Sequence, residues 1–168
     1  ADPSHLTYNE VESFVKKTIL PICQGILERA GPFHKEGLYQ SLLMHELRKI
    51  NLNVIKEMPF AMSFLDSSGN KVYVGENQSL RTDIELIDMM GLLELKSTHS
   101  TFKDENIWQL KNYLDQRQDR YWGAAINFIS RYNTTSCPQV EIAFMYKIDN
   151  QTFDKEFEIQ RDLISNMT

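Results

Sequence analysis

The stretch LRTDIELIDMMGLLELKS, residues 80–97, most constrains what this chain can become. It reads as two short strands, residues 80–88 and 92–97, joined by a tight turn. Alternate residues of a strand share a face. Arg81, Asp83, Glu85 and Ile87 therefore lie on one side of the first strand, with Thr82, Ile84 and Leu86 on the other. In the second, Leu92, Glu94 and Lys96 point one way and Leu93 and Leu95 the other. Glu94 and Lys96 are then side by side, roughly 7 Å apart along the backbone. Normal pairing of the hairpin brings Asp83 to Glu94 across the ladder. A half-buried hairpin that keeps an acid on each strand and a lysine beside them needs a reason.

Two carboxylates brought together in a low-dielectric site repel, and one takes up a proton unless a cation intervenes. Mg²⁺ suits such a pair, since it takes hard oxygen ligands and leaves its other positions to water or a substrate phosphate. A neighbouring lysine can orient or help deprotonate the attacking water and offset phosphate charge. This is the chemistry of phosphodiester hydrolysis. The plain alternative is a surface strand whose Glu and Lys form an ordinary pair, because Asp followed by Glu-X-Lys is common by chance.

The rest of the chain supplies the scaffold. The segment YNEVESFVKKTILPICQGILERAG carries Val11, Phe14, Val15, Ile19, Ile22, Ile26 and Leu27 at helical spacing. Pro21 should kink or split this helix, and Gly31-Pro32 should end it. A second helix spans about residues 35–50, with Leu38, Leu42, Leu43, Leu47 and Ile50 as its core stripe. Glu36 and Tyr39 lie three apart on the same side, so the glutamate should look inward. NVIKEMPFAMSFLD is extended, with Pro59 placing part of it at an edge or bulge, and DSSGNK is a turn. Residues 72–74 and the two hairpin strands continue the sheet. A helix over about 104–116 turns Ile107, Leu110 and Leu114 inward, with Gln109 and Tyr113 at i and i+4 on the rim of that stripe. GAAINFIS and QVEIAFMYKI close the core, and the charged tail after Asp149 is surface structure. The order is αα-βββ-α-ββ, a small α/β sandwich with a mixed sheet in one domain, residues 1–168, whose core spans about 31–148.

Composition excludes several classes. The chain has 168 residues, 42% apolar and 24% charged, which suits a folded domain and not a disordered one. No apolar run is long enough for a membrane span. Ala1-Asp2-Pro3 is set aside as an expression remnant or processed start. A net charge of -5 argues against a passive phosphate binder, but not against an enzyme whose cations neutralise its carboxylates. Cys23 and Cys137 are far apart, with no zinc-like spacing, and read as two buried thiols. Sequons at Asn77, Asn133, Asn150 and Asn166 keep secretion open beside an intracellular location. No Walker, GxGxxG or GxSxG pattern occurs.

The segments GPFHKEGLYQSLLMHELRKINLNVIKE, RTDIEL, LLELKS, QLKNYL and GAAINF, in this order and spacing, resemble the PD-(D/E)XK nuclease superfamily. Within it the resemblance is to the small group named for its GxxExxY motif, related to RecB-like nucleases. Phe33 stands where that motif begins with glycine, and Thr82 where a proline often precedes the acid. The resemblance implies a restriction-endonuclease-like core with a central mixed sheet flanked by helices. It implies Mg²⁺- or Mn²⁺-dependent hydrolysis of nucleic acid by a metal-activated water, with DNA preferred to RNA as substrate.

Asp83 and Glu94 then look like the metal-binding pair, with the backbone carbonyl of Leu95 a further ligand. Lys96 looks like the catalytic lysine, and Glu36 like the helix-borne acid that supports a metal or its water. Gln109 and Tyr113 resemble the QxxxY pair that positions substrate or braces the site. Arg81, His99 and Tyr39 are the expected substrate contacts. Arg81 has an alternative as a partner of Glu85, and His34 as a solvated residue or a ligand. Lys103 and Lys111 either line a groove or are solvated. Trp108, Tyr121 and Trp122 either stack bases or fill the core. A ribonuclease, or a nuclease-fold module that binds nucleic acid or a protein without cutting, would fit the same elements.

Overall fold

The chain's structure, a computed structural model, describes residues 6–59, 62–74, 81–100, 104–130, 139–147 and 157–165; for residues 57–59, 62, 74, 81, 82, 104 and the last segment this covers backbone only. Asn77, Lys103, Asn133, Cys137, Asn150 and Asn166 lie outside the described residues.

The first helix, α1 (Tyr8–Phe14), opens with reciprocal bonds between Thr7 and Glu10. Each satisfies an amide that the helix leaves without a partner. It runs through a π turn, Val15–Ile19, into α2 (Leu20–Ala30). Pro21 explains that turn. Its missing N–H removes a rung, and the wider turn just before it, where the Leu20 amide reaches back to Val15, absorbs the ring without breaking the rod. Gly31, at φ 81°, ends α2 as expected.

The third helix, α3, spans Glu36–Lys49 and buries Tyr39, Gln40, Leu43, Met44 and Leu47. Leu38, Leu42 and Ile50 are exposed, so the expected stripe is corrected by one position around the helix. Leu42 and Leu43 belong to two adjacent apolar rows, and packing chooses the row that includes Tyr39.

Strands β1 (Val54–Pro59), β4 (Arg81–Leu86), β5 (Gly91–Thr98), β6 (Trp122–Ile129), β7 (Gln139–Lys147) and β8 (Phe157–Ser165) form one sheet in the order β1-β4-β5-β6-β7-β8. Pro59 ends the edge strand β1, where a missing donor costs no ladder bond. Among the described strands only β5 and β6 run parallel, because α4 (Asp104–Gln116) carries the chain between them. Within the tail expected as surface structure, Phe157–Ser165 forms an edge strand paired along the whole of β7. Strands β2 (Met62–Leu65) and β3 (Lys71–Val74) do not continue the sheet as expected; they form their own hairpin. Its turn is held by Asp66, whose carboxylate accepts the amides of Ser68 and Asn70, and Gln116 at the end of α4 ties the hairpin down through both backbone groups of Ser63.

Helices cover both faces of the sheet. Helices α1 to α3 pack on Ile84, Leu93, Leu95, Ile126, Phe128, Ile142 and Phe144, and α4 packs on Leu92, Ala125, Ala143 and Met145. The middle strands are consequently buried on both sides, which replaces the half-buried hairpin with a core one. Gly123 lets α4 come close: a β-carbon there would meet Leu110 at 2.9 Å. Trp122 and Tyr121 fill the core, whereas Trp108 is exposed on α4. Cys23 is buried and free. No helix among the described residues is long and apolar enough to cross a membrane.

Candidate active site

The ladder between β4 and β5 runs from Leu86↔Gly91 to Ile84↔Leu93 and then gives way to side chains. The next pair outward is Asp83 and Glu94. The Leu95 amide donates to the Asp83 carboxylate at 2.7 Å, and the Asp83 amide donates to Glu94 Oε1 at 3.4 Å. Each acid is thus held by the opposite strand. From α3, Gln40 Nε2 donates to the Asp83 carbonyl at 2.7 Å. Gln40 was not singled out from the sequence. Its signal, a polar residue between Tyr39 and Leu43 on the inward row, was hidden by placing the stripe one position away.

The electrostatics join four elements at this point. Burial, and then the charge of Asp83, pushes the Glu94 carboxyl well above its ordinary value, against the opposing pull of the Asp83 amide and Lys96. Glu36, half-buried at the start of α3, is raised by burial and by Asp83, with Lys96 again opposing. Burial also raises the Tyr113 hydroxyl; the Gln109 amide, donating to it at 3.0 Å, opposes this, and the charges of Glu94 and Asp83 add to it. Glu36, Asp83, Glu94, Lys96, Gln109 and Tyr113 therefore form one neighbourhood, built by α3, β4, β5 and α4.

The other expected residues divide. Tyr39, expected at the substrate, is fully buried: it stacks on Phe128 with centroids 4.3 Å apart, and its hydroxyl donates to the Gly31 carbonyl at 2.8 Å. It braces the loop before α3. Glu85, the alternative partner of Arg81, bonds Arg117 and Arg120; the Arg81 side chain lies outside the described residues. His99 is exposed just past β5, with its Nδ1 donating to the Ser130 carbonyl at 3.2 Å. The His34 ring donates to Ala30, and Lys111 is not solvated but bonds Asp115 at 2.8 Å and lies over the Trp108 ring. Asn127 and Glu141, buried polar residues also missed from the sequence, continue the row from Lys96 across β6 and β7. Asn127 holds Thr98 and Ser100, fixing the chain where it leaves β5.

Among the described residues, no three His, Cys, Asp or Glu side chains converge closely enough to cage a metal ion. What the site offers is a buried carboxylate, Glu94, beside a part-buried one, Asp83, with Glu94 driven toward protonation in spite of Lys96. That donor set fits a hard cation that keeps several waters, such as Mg²⁺, and does not fit the closed cage of structural zinc.

The family model described as PD-(D/E)XK nuclease superfamily matches residues 13–140. Members of that superfamily are typically nucleases, and the mixed sheet between helical layers agrees with its restriction-endonuclease-like fold. Searches of curated proteins and of solved structures found no significant match.

Proposed function

The chain belongs to the PD-(D/E)XK nuclease superfamily, and from that premise we propose that it hydrolyses phosphodiester bonds of DNA with Mg²⁺ or Mn²⁺. Within the superfamily we assign it to the GxxExxY group on Glu36 and Tyr39, three apart at the start of α3. The observation that carries the reading is the crossed bonding of Asp83 and Glu94 where the ladder stops, with Lys96 two residues along the same strand. Asp83 and Glu94 would hold the cation, with the Leu95 carbonyl as a further ligand and Glu36 reaching it through water. A divalent cation bound there supplies positive charge at the phosphoryl oxygens and makes water easier to deprotonate.

The chain's own groups do the rest. The crossed amides and Gln40 hold the two acids in register before substrate arrives, so little reorganisation is needed. Lys96 orients or deprotonates the attacking water and then faces the charge that builds on phosphorus. Gln109 fixes the Tyr113 hydroxyl beside the acids, where the pair positions the substrate strand. Arg81 and His99 contact the backbone on either side. Incubation with single- and double-stranded DNA and RNA, linear and circular, with Mg²⁺, Mn²⁺ or EDTA, tests this directly. Cutting that needs the cation and stops in EDTA is expected; undiminished cutting by repurified protein in excess EDTA rules it out.

A further inference from the structure

A cavity of about 410 Å³ opens beside the acidic site and shares Glu36 as a wall. Its other working residues are Phe33, Lys35, Ser97, His99 and Ser130. Ser97 lies on the opposite face of β5 from Lys96, and the cavity meets the proposed chemistry through Glu36, which feels both Asp83 and Lys96. Its size lies within the range of roughly 300–1,000 Å³ that small-molecule sites occupy.

Phe33 is the unusual residue. It holds φ at 69°, a left-handed conformation in which a bulky side chain is an outlier. The strain does not come with burial, since Phe33 is 43% exposed. The loop is nonetheless pinned at three points. The Phe33 amide donates to Ser130 Oγ at 2.7 Å, the His34 amide to the Tyr39 hydroxyl at 3.3 Å, and Ser97 Oγ to the His34 carbonyl at 2.7 Å. Strain that the surroundings over-determine is characteristic of binding sites. Here the pins hold an aromatic ring at the mouth of a cavity, 6.0 Å from the ring of His99.

The rest of the cavity suits a phosphate. Lys35 caps α3 without a side-chain bond to the first turn, so the positive end of a 14-residue helix opens there beside its ammonium. His99, whose Nδ1 bears the proton given to Ser130, faces the same space. An aromatic platform beside cationic groups is how single strands are held without reading their sequence.

We infer that this cavity binds one unpaired nucleotide next to the bond to be cut, its base stacked on Phe33 and its phosphate between Lys35, His99 and the start of α3. The inference rests on the nuclease reading and narrows its substrate to single strands or frayed ends. A base inside a duplex is already stacked and cannot lie on Phe33.

Phe33→Gly removes the ring while suiting the left-handed backbone, so its fold is retained and its thermal midpoint should not fall. Binding is read by fluorescence anisotropy of a fluorescein-labelled single strand, offered as DNA and as RNA, with Ca²⁺ in place of Mg²⁺. We expect Phe33→Gly to weaken binding about tenfold, near the low end of what one stacked base contributes. Phe33→Trp should restore it, and blunt duplex should show a much smaller change. Phe33-dependent affinity for either strand supports the cavity; unchanged affinity for both overturns it. Wild-type cutting with Mn²⁺ is scored separately. Its absence refutes the nuclease reading, whereas normal cutting with unchanged Phe33→Gly binding refutes the cavity alone.

Discussion

Glu85 is the residue on which α4 is anchored to the sheet. It is 0% exposed, and its two oxygens accept from Arg117 Nη1 at 2.5 Å, Arg117 Nη2 at 2.9 Å and Arg120 Nε at 3.0 Å. The Arg117 amide in turn closes the last turn of α4 on the Tyr113 carbonyl at 3.1 Å. Glu85→Ala would leave two guanidinium groups in a nearly dry place with only the exposed Asp119 carboxylate as counter-charge. Removing one member of a buried charged set costs about 3–5 kcal/mol, because the remaining charge stays buried. At roughly 2–4 °C per kcal/mol for a chain of this size, the thermal midpoint should fall by about 6–20 °C. Urea unfolding with EDTA present measures the loss apart from any metal effect. High salt should leave the difference largely intact, since buried charges are little screened. Replacing Glu85, Arg117 and Arg120 together by Met should recover most of the loss. A loss below about 1 kcal/mol for Glu85→Ala, the value of a surface pair, would refute the anchoring argument.

Lys96→Ala should slow cutting by about 10²–10⁴-fold while Mn²⁺ still binds by calorimetry, and Asp83→Ala should lose both; normal cutting by Lys96→Ala would make the lysine a plain strand residue. Gln40→Met leaves the Asp83 carbonyl without its side-chain donor and should cost about 1–3 kcal/mol in urea unfolding, with slower cutting; wild-type values on both counts would make Gln40 incidental. Glu94, whose folded value is raised above 4.5, favours the folded state while protonated, so its contribution is present below that value and is lost as pH rises through the higher folded one. Metal-free protein should therefore lose stability as pH rises above the ordinary carboxylate range, and Glu94→Gln should flatten that slope; an unchanged slope in Glu94→Gln would place the titration elsewhere.

Local patterns in the sequence were readable where one element decides its own fate. The helical spacing of Val11, Val15, Ile19, Ile26 and Leu27, the inward Leu110 and Leu114, and the alternation that sets Asp83, Glu94 and Lys96 on one face all appear in the fold. What was not legible depends on partners distant in sequence. In β8, Glu158, Arg161 and Asp162 gave nine residues the look of a surface tail, and only the open edge of β7 makes them a strand. Nothing local separates β2 and β3 from the main sheet, because that separation rests on Gln116 of α4, some fifty residues on. Glu85 read as a partner for nearby Arg81, while the guanidiniums that hold it come from beyond α4. Phe33 carried a signal that was seen only as a departure from a motif; its backbone angle is a property of the folded loop.

The contrast between Glu85 and Asp83 bears on function most directly. They are two residues apart on one strand and face the same helix. At Glu85 the chain meets a buried carboxylate with two arginines of its own. At Asp83 it brings up two more acids, Glu94 and Glu36, and a single lysine. The electrostatic outcome is opposite: the Glu85 end is internally compensated, and the Asp83 end pushes carboxyls toward protonation. Two residues before Glu85, the acids gathered beside Asp83 are raised toward protonation, an arrangement that the proposed cation would relieve. Binding of a cation should therefore raise the melting temperature through Asp83 and Glu94, and leave the contribution of Glu85 where it was.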